Sequence, residues 1–300
     1  FIARASGMMC LSKPSKSNAL IEAAGLRLSN IRMNSSRTRS AETLGKSDSD
    51  SRAPKPSAKK REKKWYGKYH WFFTSEGFLV IAGRDAGSNE TIVTKMMGEK
   101  DLYFHADIHG ASHTILKTEP VQADGVGSGI GNNAMAGKHA MSKRAQDSGK
   151  PPSDASRKEA AAFAAVFSSA WREKIPAIDV YSANPGQVTK AAPTGEAIGP
   201  GAFMVYGKRE WHKKTPLEFA IGYKLEGDKL TLHSGPPSAV GANCDFFAGV
   251  KFGNDSKGDA AKKILRIFSS RLKGNTELFL DDIVALLPSG GICVVYPGGQ

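Results

Sequence analysis

Aromatic residues are nearly absent up to residue 64 and then cluster abruptly from Trp65 onward. The runs Tyr69–Phe73 and Phe78–Ala82, separated by the turn-forming Ser75-Glu76-Gly77, read as two strands of a β-hairpin. Further strands are expected at Asp101–His105, Thr114–Lys117, Ala177–Ala183, Ala202–Tyr206 and Phe219–Tyr223. A helix is expected over Asp154–Lys174, where Ala160, Phe163, Ala164, Phe167 and Trp171 share one face. Ser156 and Glu159 stand at capping-box spacing near its start, and Pro176 closes it.

Toward the C-terminus, Lys229–His233 reads as a short strand and Pro236-Pro237 as a stop. Ser256 and Asp259 cap a helix striped by Ala261, Ile264, Leu265, Phe268 and Leu272, which Gly274 ends. A shorter helix over Leu280–Leu287 and a terminal strand at Ile292–Tyr296 complete the pattern. Strands and helices do not alternate and no repeat recurs, which argues against a Rossmann-type parallel sheet. The expected class is α+β: mainly antiparallel sheet with a packed helix, and a small C-terminal α/β extension over residues 226–300. Residues 118–152, rich in Gly, Ser, Asn and Lys, are too long for an ordinary loop and read as a flexible insertion.

The 300 residues suffice for one large domain or two smaller ones, and 40% hydrophobic with 24% charged residues is a globular composition. Net charge is +13, but residues 1–70 hold 16 Lys or Arg against 5 Asp or Glu, leaving the remainder nearly balanced. The folded body therefore cannot be read from the global charge. Residues 1–64 bury too little apolar surface to offset their ordering entropy and are expected to form a basic disordered arm, with a short helix candidate at Asn18–Leu28. Three readings of the arm stay open. It can be a solubilising linker, a polyanion-contacting segment through Lys59, Lys60, Arg61, Lys63 and Lys64, or an Arg- and Ser-rich transit peptide. A start at Phe1 rather than Met is what a processed product or a fragment would show. No apolar run approaches the length of a membrane helix. Cys10, Cys244 and Cys293 lack CxxC spacing, which excludes a disulfide scaffold and the usual thiolate zinc sites and suits a reducing compartment.

Candidate chemistry lies in three stretches. The Gly-rich segment Gly125–Lys138 misses the Walker pattern, since five residues separate Gly131 from Gly137 and His139 follows Lys138. In HADIHGASH, residues 105–113, extended backbone would place His105, Asp107, His109 and His113 on one side, unless Gly110 bends the strand. Such a group fits a divalent metal with an activated water, a hydrogen-bonded turn, or contacts to phosphate, ribose or base edges. In NPGQVTKAAPTGE, residues 184–196, Gly186 and Gly195 allow close backbone approach, while Gln187, Lys190 and Thr194 supply donors. Nearby, Lys208, Arg209, Lys213 and Lys214 interleave with Trp211, a pattern that suits a backbone clamp with a stacking platform and equally a charged surface hairpin. No GxSxG elbow or other nucleophile–base set is visible.

Five blocks in order resemble the NFACT family: KYHWFFTSEGFLVIAGRDAGSNE, DLYFHADIHGASHTILK, PPSDASRKEAAAFAAVFSSAW, QVTKAAPTGEAIGPGAFMVYGKREW and GPPSAVGANCDFF. The likeness is to the NFACT-R RNA-binding domain and is densest from Trp65 to Tyr223, so residues 65–225 are expected to form that domain and 1–64 an arm or coiled-coil remnant. The resemblance implies a cytoplasmic role in ribosome-associated quality control, on large ribosomal subunits that carry an obstructed nascent chain. Its implied partners are the large ribosomal subunit, tRNA (alanyl-tRNA foremost) and, in eukaryotes, a ubiquitin ligase, with support of C-terminal tailing and no membrane. It implies a binding module rather than an enzyme, with no cofactor or metal. Arg84 and Asp85 would shape the hairpin end. His105, Asp107, His109 and Ser112 would form a contact strand, Gln187, Lys190, Thr194 and Glu196 a facing loop, and Lys208, Arg209 and Trp211 an extension of the surface. The chain departs from the family pattern in lacking the NFACT-N, helix-hairpin-helix and most coiled-coil regions, in its long insertion, and at His113 and Glu210, where a small residue and Asn are usual. The alternatives are a metal-dependent hydrolase or RNA-processing enzyme centred on His105, Asp107 and His109, and a protein-interaction scaffold.

Overall fold

The computed structural model describes residues 64–118, 150–192, 198–227, 229–272 and 278–295. The arm and nearly all of the 118–152 insertion, with Thr194 and Glu196, lie outside them. Among the described residues, strands β1 (His70–Phe73), β2 (Leu79–Ala82), β3 (Leu102–Ala106), β4 (Thr114–Leu116), β5 (Ala177–Ala183) and β8 (Glu210–Pro216) form a six-stranded sheet ordered β1-β2-β4-β3-β5-β8. Every pairing in it is antiparallel. The expected hairpin is present, with Gly77 at φ +93° inside its turn, a conformation that glycine adopts without steric cost.

Strands β9 (Phe219–Glu226), β10 (Lys229–Gly235), β11 (Phe246–Asp255) and β12 (Ile292–Val295) form a second antiparallel sheet ordered β10-β9-β11-β12. The boundary expected at 225/226 falls within the β9–β10 hairpin of this sheet. Val250, Ile264, Phe268 and Ile292, all beyond that boundary, share an apolar core with Phe72, Phe104, Phe163 and Trp171 beneath the first sheet. Each such buried side chain contributes roughly 1.5–3 kcal/mol, so residues beyond 226 help stabilise the body they follow.

Helix α1 (Ala86–Thr91) leaves β2 and runs on as a π-turn over Ile92–Met96. Helix α2 (Asp154–Val166) lies on the first sheet, and its row of Ala160, Ala161, Ala164 and Ala165 permits close approach while Phe163 packs 4.6 Å from Phe72. Two expectations fail here. The N-cap is Ser153, whose hydroxyl accepts the Ala155 N–H, whereas Ser156 and Glu159 are buried and bonded across the fold. Ser156 lies 3.0 Å from Thr74 Oγ1 and donates to Glu76, while Glu159 accepts the Ser75 N–H at 2.8 Å and the Ser238 hydroxyl at 2.7 Å. The helix also stops before Lys174. At Phe167 the backbone leaves the helical region, and Ser168 caps a separate short helix α3 (Ser169–Arg172) through the Ala170 N–H.

The Pro236-Pro237 pair starts a helix rather than stopping a strand alone: α4 (Pro237–Asn243) has Pro237 in its first turn, where no N–H is needed. Helices α5 (Lys257–Arg271, capped by Ser256 through the Asp259 N–H) and α6 (Leu280–Leu286) follow the expected stripes. The opposite face of the first sheet is covered by the π-turn, by Trp65 and Tyr66, and by a two-stranded ribbon, β6 (Val188–Thr189) with β7 (Met204–Val205). No helix among the described residues is long and apolar enough to cross a membrane.

Candidate functional site

Register builds the site. His105 is the cross-strand partner of Tyr181, and Tyr181 the partner of Trp211, so β3, β5 and β8 present the three rings as one row. Neighbouring ring centroids lie 5.7 and 5.5 Å apart, within the range of favourable aromatic contact. The Arg209 guanidinium carbon stands 4.6 Å above the Tyr181 ring, and the same group donates to the Val205 carbonyl at 3.0 Å. A cation over a tyrosine face is attracted by the ring quadrupole and held flat for stacking. Trp211, at 42% exposure, ends the row in solvent beside the exposed Lys208.

The inner end of the row is half-buried. Burial pushes the His105 imidazole down to about 4, and neighbouring His113 and Arg209 act in the same direction, so the ring is neutral at pH 7. His113 is buried, with Nε2–H donating to the Gly201 carbonyl at 2.7 Å and Nδ1 accepting from the Tyr103 hydroxyl. Burial lowers its pKa as well. The pair of bonds ties the loop before β7 to β3 and β4. It is a structural latch.

The ribbon is held by polar contacts from several sides. Gln187 donates from Nε2 to the Tyr206 and Lys208 carbonyls at 2.8 and 2.9 Å, while its Oε1 accepts the Asn184 N–H. Gln187 is therefore a brace for residues 206–208. Lys190 reaches Glu90 of α1 at 2.5 Å and lies over the Phe203 ring at 4.8 Å. Arg84 donates to the Tyr69 carbonyl and Asp85 forms a capping box with Ser88, so both shape the end of the β1–β2 hairpin.

The structure brings His105, Lys190, Gln187, Lys208, Arg209 and Trp211 together around Tyr181 and the ribbon. It does not extend the period-two reading past Ala106. Strand β3 ends there, the Asp107 N–H donates to Asp179, and Gly110 takes φ +75°, so Asp107 and His109 are exposed on a turn while His113 is carried inside. Burial is the main cause that raises the Tyr181 pKa; Arg209 opposes the rise and Asp107 adds to it. Ser112 is half-buried, its N–H donating to Phe167 at the end of α2. Among the described residues, no three His, Cys, Asp or Glu side chains gather as a metal centre would require. Sequence reasoning missed Tyr181, Glu90 and Gly201. Tyr181 was legible as the polar aromatic at alternating spacing within Ala177–Ala183, whereas Glu90 and Gly201 meet only through folding.

The arrangement can stack a planar group on Trp211 and hold phosphates with Lys208 and Arg209. The NFACT protein RNA binding domain family matches residues 68–207. The archaeal Rqc2 homolog aRqcH of Methanocaldococcus jannaschii is 32% identical over 237 residues, covering 79% of this chain and 30% of that protein. The ribosome quality control complex subunit NEMF homolog of Drosophila melanogaster is 33% identical over 179 residues, 59% of this chain and 15% of that protein. Human ribosome quality control complex subunit NEMF is 30% identical over 181 residues, 59% of this chain and 14% of that protein. The chain thus spans 30% or less of the length of these curated relatives. With His105, Tyr181, Lys190 and the β6–β7 ribbon all inside the matched residues, this chain belongs to the NFACT family through its RNA-binding domain.

Proposed function

We propose that this chain is the RNA-binding module of a ribosome-associated quality control factor. In this reading it binds tRNA and large-subunit RNA on obstructed nascent-chain complexes in the cytoplasm and supports C-terminal tailing without catalysing a reaction itself. Alanyl-tRNA and, in a eukaryote, a ubiquitin ligase would be its further partners. One observation carries the reading: the His105–Tyr181–Trp211 row with Arg209 stacked on it, open to solvent at the Trp211 end. A neutral, packed inner end fixes the geometry, and a cationic, aromatic outer end suits a polyanion with planar bases.

The test is a salt series of tRNA binding by the full chain. Replacing Lys208 and Arg209 by Ala lowers the slope of log affinity against log salt by roughly 0.7–0.9 for each phosphate no longer neutralised. Trp211→Ala weakens binding by about 1–3 kcal/mol, the worth of one stacked base, with little change in slope. Unchanged affinity and slope in all three variants would remove this assignment.

A further inference from the structure

On the outer flank of β8, the edge strand of the first sheet, lies an open cleft of about 500 Å³. One wall is β8 itself from Trp211 to Pro216. The other is α2 through Lys158, Glu159 and Ala162, and Pro236, Pro237 and Ser238 close the end. This volume lies within the roughly 300–1,000 Å³ of small-ligand clefts: room for a nucleotide or two and too little for a duplex.

Its charges are unequally satisfied. Glu159, only 5% exposed, is engaged by the Ser75 N–H and the Ser238 hydroxyl, and nearby Glu210 is paired with Arg157 at 3.3 Å. Lys158, Lys213 and Lys214 are exposed and have no ion-pair partner among the described residues, and the exposed Glu218 carboxylate also lines the cleft, so the ammonium groups are in excess. His212, its pKa lowered first by burial, is a neutral hydrogen-bonding group on the same wall. A peptide added as a further strand is disfavoured, because the edge backbone is already blocked. Pro216 has no N–H, the Lys214 N–H is given to Asp179, the His212 carbonyl accepts from Thr215, and Lys214 sits at φ +51°. Three ammonium groups against the exposed Glu218 carboxylate leave a positive excess that calls for an anion, and an exposed indole at the lip calls for a planar ring.

The geometry points to a binding site for single-stranded RNA in the β8–α2 cleft, entered over Trp211 from the Tyr181 ledge. The path rests on the RNA-binding reading above and extends it. Folded RNA lies on the ledge, and an unpaired extension turns around the β8 edge, its phosphates facing Lys158, Lys213 and Lys214.

The experiment uses the full chain and labelled hairpin RNAs, one blunt and one carrying a short single-stranded extension at either end, with an unstructured oligonucleotide as a third probe. The extension tightens binding by about 5-fold or more, the lower bound for one stacked base, and steepens the salt slope by about 0.7 for each further phosphate neutralised. Lys158→Glu abolishes that gain and weakens the free oligonucleotide while leaving the blunt hairpin unchanged; Lys158→Arg restores both. Lys213→Glu lowers the gain in the same way. Equal binding of blunt and extended hairpins would overturn the proposal, as would a Lys158→Glu loss shared equally by both. Displacement of the extension by a Glu-rich peptide at the concentration of competing oligonucleotide would assign the cleft to an acidic protein instead. The ledge reading fails separately, when Lys208→Ala and Arg209→Ala leave the blunt hairpin untouched, and the dependence of the extension on Lys158 is still read in that case.

Discussion

The Glu90 carboxylate of α1 meets the Lys190 ammonium beyond β6 at 2.5 Å and also accepts the Gly201 N–H at 2.9 Å. Both side chains are about a third exposed, so solvent screening leaves the pair little weight in stability. The Lys190 hydrogen bond, then the Gly201 N–H, hold the Glu90 carboxyl below the usual carboxylate range. The pair matters more for binding, because Lys190 must exchange Glu90 for a phosphate before it contributes to RNA affinity.

Glu90→Gln is therefore expected to tighten tRNA binding and steepen the salt slope by about 0.7–0.9, the effect of one more neutralised phosphate. Gln keeps an acceptor for the Gly201 N–H, so the ribbon stays docked. Fluorescence anisotropy over a salt series reads both effects; no change in either would show that Lys190 stays inside the protein.

Gly201 has φ +74°, and a Cβ there would lie 2.6 Å from the Ala86 carbonyl oxygen and 2.7 Å from the Ala86 Cα. Gly201→Ala combines the roughly 1–2 kcal/mol penalty of the left-handed region with a backbone clash that cannot relax through a rotamer. The expected outcome is faster amide exchange in Val188–Thr189 and Met204–Val205, and weaker RNA binding, with the exchange of β9–β11 unchanged. Hydrogen-exchange mass spectrometry distinguishes this from global loss of fold.

Several half-buried imidazoles make the fold acid-sensitive. Burial, ahead of neighbouring cations, pushes His70 down to about 3 and His105 and His233 to about 4, each from an ordinary value near 6.5. The unfolded chain binds these protons first, so their contribution to stability is complete above about pH 6.5 and is lost as pH falls toward 4 and then 3. Each unit of depression corresponds to about 1.4 kcal/mol. Thermal melts between pH 7.5 and 4 should show a falling Tm, and His105→Phe should flatten the slope. A Tm that is level across this window would contradict the burial of these rings.

Glu159 joins the β1–β2 turn to α4 through the Ser75 N–H and the Ser238 hydroxyl. Glu159→Ala removes the acceptor of both bonds, with the Ser238 end exposed to solvent. With charged hydrogen bonds worth about 1.5–3 kcal/mol each, a loss of roughly 2–4 kcal/mol is expected in urea unfolding. A loss below about 1 kcal/mol would mean that water replaces the carboxylate.

Local pattern sufficed wherever one face of an element met one core. The Leu79–Ala82 run, the Ala160–Phe163–Ala164 stripe and the Ser256 cap each declared themselves within a few residues, and each element stands where its spacing implied. Strand β8 was obscured because its exposed edge carries Glu210, Lys213 and Lys214 in place of alternating apolar residues. Strand β11 was obscured by the glycines at 249 and 253, which sit against β12 where a Cβ would collide at position 253. Ser156 and Glu159 imitated a helix cap because capping and tertiary bonding use the same side chains, and only the approach of Thr74, Ser75 and Ser238 decided between them.

The residues themselves settled the class of fold, most of its strands apart from β8 and β11, and the family to which the domain belongs, since periodicity and ordered blocks are properties of short segments. Folding alone decided that His105, Tyr181 and Trp211 form one row and that Glu90 holds Lys190. Those relations depend on the register between strands and on meetings of residues a hundred positions apart in the chain. A local pattern of hydrophobic and polar positions carries neither.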